Sequence, residues 1–182
     1  LCHGLGLWRQ LCLSGPFEPA WWSRTRALDV VSTDGAVDLS QLPVIGCWPG
    51  DGGRYTPLPW VFSRAPGPGI KNSGTYRMQV FDGKTTGMHW QTHKVGTRHY
   101  RMNQEKGITR MDVAVALGGD PATIWTGSAP LPPDMDEMAV AGFIREDGVD
   151  LVKAQTSDLL VPAQSEIVLE GYVVPGGERV EG

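Results

Sequence analysis

A chain of 182 residues has the length of one domain or slightly more, enough to bury a real core. Its 16 Lys and Arg against 20 Asp and Glu leave a net charge of −4, so no basic footprint argues for a nucleic-acid partner. Cys2, Cys12 and Cys47, without CxxC spacing, make neither a disulfide framework nor a zinc site and point to a reducing, cytoplasmic setting, and no apolar run approaches the roughly 20 residues of a membrane span. With 24 Gly and 14 Pro, the chain favours many turns and short strands over a helical bundle.

Residues 1–30 mix tryptophans and glycines with no clean period, and they lack the charged start and small-residue cleavage site of a signal peptide. They form an unassigned N-terminal segment, in which His3 reads as a surface residue. From Val31 the pattern becomes orderly. Leu42–Trp48 reads as a short apolar strand, and Pro49–Tyr55, with three glycines around Asp51, reads as a tight turn. That loop is neither GxGxxG nor a P-loop, and no helix pattern follows it. Leu58–Ser63 predicts another strand, and the loop over 64–69 leads to Asn72.

Asn72–His93, NSGTYRMQVFDGKTTGMHWQTH, contains two β-like runs, Tyr76–Phe81 and Thr85–Trp90, around Asp82-Gly83. An Asp-Gly pair between such runs predicts a hairpin. Folding back would bring Asn72 and Arg77 near His89 or His93. An amide, an imidazole and a guanidinium on one sheet face would suit a metal and an anion. A solvated hairpin with scattered polar residues fits the same letters.

Beyond the hairpin, Gly96–Gly107 is polar and compatible with a helix. Val113–Leu117, VAVAL, predicts a fully buried strand. Asp120 as N-cap and Pro121 as first helical residue predict a helix over Pro121–Thr126. Asp134–Ile144 predicts a second helix, where Glu137 would sit near the favourable end of the helix dipole. Leu151–Thr156 and Ile167–Val174 complete the strands. Period-2 alternation puts Glu166 and Glu170 on one strand face, as an acid–base pair or, more simply, a solvated edge.

Several segments together resemble the UbiD family of reversible aromatic and acrylic acid decarboxylases. They are LPVIGCWPGDGGRY, NSGTYRMQV, TTGMHWQTHK, VAVALGGDPA, DEMAVAGFIR, VPAQSEIVLEGY and the final EG, in order from Asp38 to Gly182. The resemblance implies a mainly β fold with short helices, a split β-barrel of FMN-binding, flavin-reductase type spanning 31–182 and incomplete at its C-terminal end. It implies prenylated FMN held through a divalent metal, Mn²⁺ or Mg²⁺, with K⁺ nearby. The family's metal ligands fall on Asn72, His93 and Glu137. Asn72, Thr75, Tyr76, Arg77, His89, Trp90, Gln91, His93 and Lys94 would hold the cofactor, whereas His99, outside the motifs, reads as a surface residue.

The family's active-site arginine matches Arg77, and Glu181 matches the first acid of its E-G-P-[FY]-G motif. The second acid, the proton donor, would follow Gly182, as would the domain that carries oligomer contacts. The implied substrate is an aromatic or α,β-unsaturated carboxylic acid, as in quinone biosynthesis or aromatic acid metabolism. The alternative is a flavin- and metal-binding fragment or accessory subunit that lacks the donor and does not turn over.

Overall fold

The computed structural model describes residues 29–67, 71–132, 135–174 and 176–177. The expectations for His3, Cys2, Cys12 and Glu181 lie outside the described residues. The fold is mainly β with short helices, and among the described residues its sheets are open.

The central sheet has four antiparallel strands in the order β3-β2-β6-β9: Lys71–Thr75, Trp60–Arg64, Met111–Leu117 and Ile167–Val173. The VAVAL run lies in β6, where Ala114, Val115 and Ala116 are each 3% exposed or less, because both faces of this strand are covered. A second sheet joins β1 (Arg54–Thr56), β4 (Met78–Val80) and β5 (Thr86–Met88), and a third pairs β7 (Leu151–Lys153) with β8 (Leu160–Pro162). The helices are α1 (Val95–Glu105), α2 (Pro121–Thr126) and α3 (Glu137–Arg145). Asp120 caps α2 by accepting from Thr123 N at 3.0 Å, and Asp136 caps α3 by accepting from Met138 N at 2.8 Å.

Register fixes which residues share a face of the central sheet. Trp60 pairs with Thr75 and Ala116, and Phe62 pairs with Ser73 and Ala114. This face is covered by Met138 and Ala141 of α3 and by Val149, Leu151, Val152 and Val161, around β7 and β8. On the other face Val61 pairs with Gly74 and Val115, and Ser63 with Asn72. That side packs under Tyr76, Met78, Met88 and Trp90, and under Tyr100 of α1.

The hairpin forms with shorter strands than its β-like runs. β4 and β5 pair antiparallel, and Phe81 N donates to Thr85 O at 3.0 Å across the Asp82-Gly83 loop. Asn72 belongs to β3, against β2, and not to the hairpin. Two expectations are corrected, and one strand is new. Leu42–Trp48 is not a strand: only Ile45 O takes a bond from Tyr55 N, and Ile45 and Trp48 are exposed, so the run is apolar without a partner to pair with. β8, close behind β7, was not anticipated. His99 is not at the surface: it is 2% exposed, on the side of α1 turned to the sheet.

Candidate cofactor and metal site

Glu137 opens α3, beside Ser73 on β3. Burial pushes its carboxyl up to about 7 from an ordinary 4.5, and the neighbouring Asp136 charge adds to the rise. Its own N–H, and the N–H and hydroxyl of Ser73, pull the other way without cancelling it. Ser73 Oγ lies near the carboxyl yet completes no hydrogen bond, and neither does the buried Thr75 Oγ1 two residues along the same face. A half-buried acid with a raised pKa beside two buried hydroxyls without partners marks a candidate ligand site.

The opposite face of β3 carries Asn72, which is buried. Asn72 Nδ2 donates to Tyr76 Oη at 3.5 Å, and the same oxygen accepts Gly96 N–H at 3.3 Å, in the first turn of α1. Tyr76 meets Trp90 edge to face, 6.1 Å between centroids. Lys94 is the residue before α1, and its N–H donates to Gln91 O at 3.0 Å, so the loop carrying His93 is tied to the helix start. His93, Gln91 and Lys94 are exposed.

Asn72 and Glu137 thus flank one strand from its two faces, and β3 is the terminal strand of its sheet, open on one side. Arg77 follows directly, exposed, with its guanidinium 5.9 Å from the centre of the Tyr55 ring. Its carbonyl accepts His89 N–H at 3.1 Å, which places His89 beside it across the hairpin. Thr75 N donates to Gly127 O at 3.0 Å, fixing the end of β3 against the residue after α2.

Two polar groups escaped the sequence reading. One is Ser73, whose place beside Glu137 follows from the pleat once β3 is known. The other is His99, whose Nδ1 lies 3.1 Å from Ser63 Oγ. Burial draws that imidazole below its ordinary 6.5, with the Arg98 charge adding to the effect, so it serves as a neutral packing group. Glu170 is no acid–base partner for Glu166. Its carboxylate accepts from Gln155 N, Thr156 N and the Thr156 hydroxyl, at 2.7, 2.6 and 2.6 Å, and so caps a turn.

A family profile described as UbiD, the 3-octaprenyl-4-hydroxybenzoate carboxy-lyase Rift-related domain, matches residues 22–182. The chain belongs to the UbiD family. An uncharacterized protein of Archaeoglobus fulgidus is 52% identical over 147 residues, 81% of this chain and 31% of the relative. Another from Aquifex aeolicus is 47% identical over 141 residues, 78% of this chain and 29% of the relative. The chain therefore spans about a third of the length of the curated relatives it matches. Among solved structures, the UbiD-class enzyme HmfF from Pelotomaculum thermopropionicum in complex with FMN superposes with a TM-score of 0.85 at 26% identity, over 97% of this chain and 40% of that one. Vanillic acid decarboxylase from Sedimentibacter hydroxybenzoicus in closed form gives 0.86 at 26% identity, over 96% and 39%.

By donor type alone the residues present fit the metal that a UbiD domain implies; Asn72 and Glu137 lie on opposite faces of β3, and His93 is exposed on the loop before α1. Among the described residues no three His, Cys, Asp or Glu side chains cluster. Asn72, His93 and Glu137 offer two oxygens and one imidazole, a set suited to a hard-to-borderline divalent ion.

Proposed function

We propose that this chain is the prenylated-FMN-binding domain of a UbiD-type carboxy-lyase that reversibly and non-oxidatively decarboxylates an aromatic or α,β-unsaturated acid. The observation that carries this reading is the half-buried Glu137 carboxyl, its pKa raised to about 7, beside the strand that holds the buried Asn72, in a chain whose fold matches an enzyme solved with FMN. An evolved dimeric form of HmfF was solved with prFMN, at a TM-score of 0.83 and 26% identity, which supports prenylated FMN in particular. The Rift-related description of the family supports a split β-barrel of flavin-reductase type.

In this reading Asn72, His93 and Glu137 hold Mn²⁺ or Mg²⁺, with K⁺ beside it, and the metal anchors the cofactor phosphate. Thr75, Tyr76, His89, Trp90, Gln91 and Lys94 line the cofactor. Arg77 grips the substrate carboxylate in a two-point contact, and Glu181 orients that guanidinium. Prenylated FMN, when bound, supplies the electron sink for the charge left as the bond to the carboxylate breaks. A protonated acid then returns H⁺ to that carbon. The whole protein would work in the cytoplasm and assemble as a homo-oligomer through a further domain.

The test is reconstitution of the purified chain with prenylated FMN and Mn²⁺, read by flavin absorbance, metal content and exchange of labelled bicarbonate into aromatic acids. Flavin retained only with Mn²⁺ supports the cofactor role. Exchange at a rate set by Arg77 supports catalysis, whereas flavin binding without exchange favours the accessory-subunit reading. No flavin binding with or without metal overturns the proposal.

A further inference from the structure

Tyr76 joins two segments that the proposed metal site needs and that the sequence keeps apart. Its oxygen receives the Asn72 amide N–H at 3.5 Å and the Gly96 N–H at 3.3 Å. The first is the side chain of a proposed ligand. The second belongs to the opening turn of α1, three residues beyond His93, in the segment that Lys94 N and the Thr97 hydroxyl fasten to Gln91 O at 3.0 and 2.6 Å. An oxygen facing both donors holds the amide with its NH₂ inward. The acceptor end, the one a cation uses, is then left for the metal.

The ring is held as firmly as the hydroxyl. A Cβ on Gly74 would lie 2.7–2.8 Å from the Tyr76 phenol, so glycine there gives the ring its seat. A Cβ on Gly96 would lie 2.7 Å from Trp90 Nε1, so the start of α1 closes on Trp90 in the same way. Trp90 in turn stands edge-on to Tyr76, at an interplanar angle of 82°. Tyr76 itself is 7% exposed. A buried ring with few rotatable bonds loses little further freedom when a ligand orders the site.

We propose that Tyr76 is a positioning residue for the metal centre: its hydroxyl fixes the orientation of the Asn72 amide and the distance between β3 and the His93 loop. This rests on the ligand assignment above and adds to it a residue that does not touch the ion. Groups that orient ligands from behind are commonly worth 10–100-fold in metal affinity.

The experiment is a Mn²⁺ titration of the flavin-free chain, followed by the electron paramagnetic resonance of free Mn²⁺ and by thermal unfolding. Tyr76→Phe keeps the ring and deletes the oxygen. The expected result is a Kd for Mn²⁺ about 10–100-fold weaker, with the metal-free Tm little changed. A ring-fluorinated tyrosine at position 76, whose oxygen is a poorer acceptor, weakens binding in the same direction by a smaller factor, and it keeps the test alive if Tyr76→Phe does not fold. Asn72→Ala, His93→Ala and Glu137→Ala separate the two layers of the argument. If they abolish Mn²⁺ binding while both Tyr76 variants bind as tightly as the wild type, the positioning role falls and the ligand set stands. If they leave Mn²⁺ binding intact, the ligand set falls and this inference with it.

Discussion

At the scale of single residues, Glu137 is an acid whose ionisation the fold opposes. Its folded pKa of about 7 lies above the ordinary 4.5, so the folded state holds a proton that the unfolded chain gives up. The contribution to stability is complete below 4.5 and is lost as pH rises through about 7. Across that window the metal-free protein should lose roughly 3 kcal/mol from this group. Glu137→Gln, which cannot ionise, should remove that slope, and urea unfolding of both proteins at a series of pH values reads the difference. Parallel curves would show that the carboxyl is not desolvated. The burial that creates this acid is not visible in DEMAVAGFIR, where Glu137 is an ordinary first-turn carboxylate. Only the packing of α3 against the central sheet, which takes the carboxyl out of water, changes its character.

At the scale of elements, legibility followed how local the forces were. The Asp120-Pro121 start of α2 and the Asp82-Gly83 turn rest on contacts within a few residues, and both appear, as does the β6 run, whose unbroken apolar stretch already marks a strand covered on both faces. Leu42–Trp48 has the composition of a strand, but strand identity depends on a distant partner, and none pairs with it. α1 shows the converse failure. Gly96, His99, Tyr100 and Asn103 make its inward stripe at helical spacing. Only one of them is a large apolar residue, so hydrophobic periodicity could not identify the face. Hydrogen bonds hold it instead, from His99 to Ser63 and from Asn103 Nδ2 to His99 O at 2.8 Å. The contact between α2 and the central sheet supplies a prediction at this scale. A methyl group on Gly127 would lie 2.5 Å from Nε1 of Trp60, a side chain only 2% exposed with no room to retreat. Gly127→Ala should cost about 1–3 kcal/mol in chemical denaturation. A neutral result would mean that the turn after α2 shifts freely.

At the scale of the whole molecule, the candidate site is assembled from a strand, a hairpin and the starts of two helices, so a cation there should stabilise the fold itself. Added Mn²⁺ should raise Tm, and by more near pH 8 than near pH 5, because at the lower pH a proton on Glu137 competes with the metal. Differential scanning fluorimetry at matched Mn²⁺ concentrations measures this, and an equal shift at both pH values would count against Glu137 as a ligand. The family resemblance located these residues along the chain, and once Lys71–Thr75 is known to be a strand, alternation puts Asn72 and Ser73 on opposite sides of one pleat. That alternation also limits how the protein can change. Losing or gaining a single residue inside β3 would take Asn72 off Tyr76 and Ser73 off Glu137, stripping both sides of the strand of the contacts they are built around. Length variation in that strand is therefore workable only by twos, and a one-residue deletion there would leave the fold far more intact than the metal site.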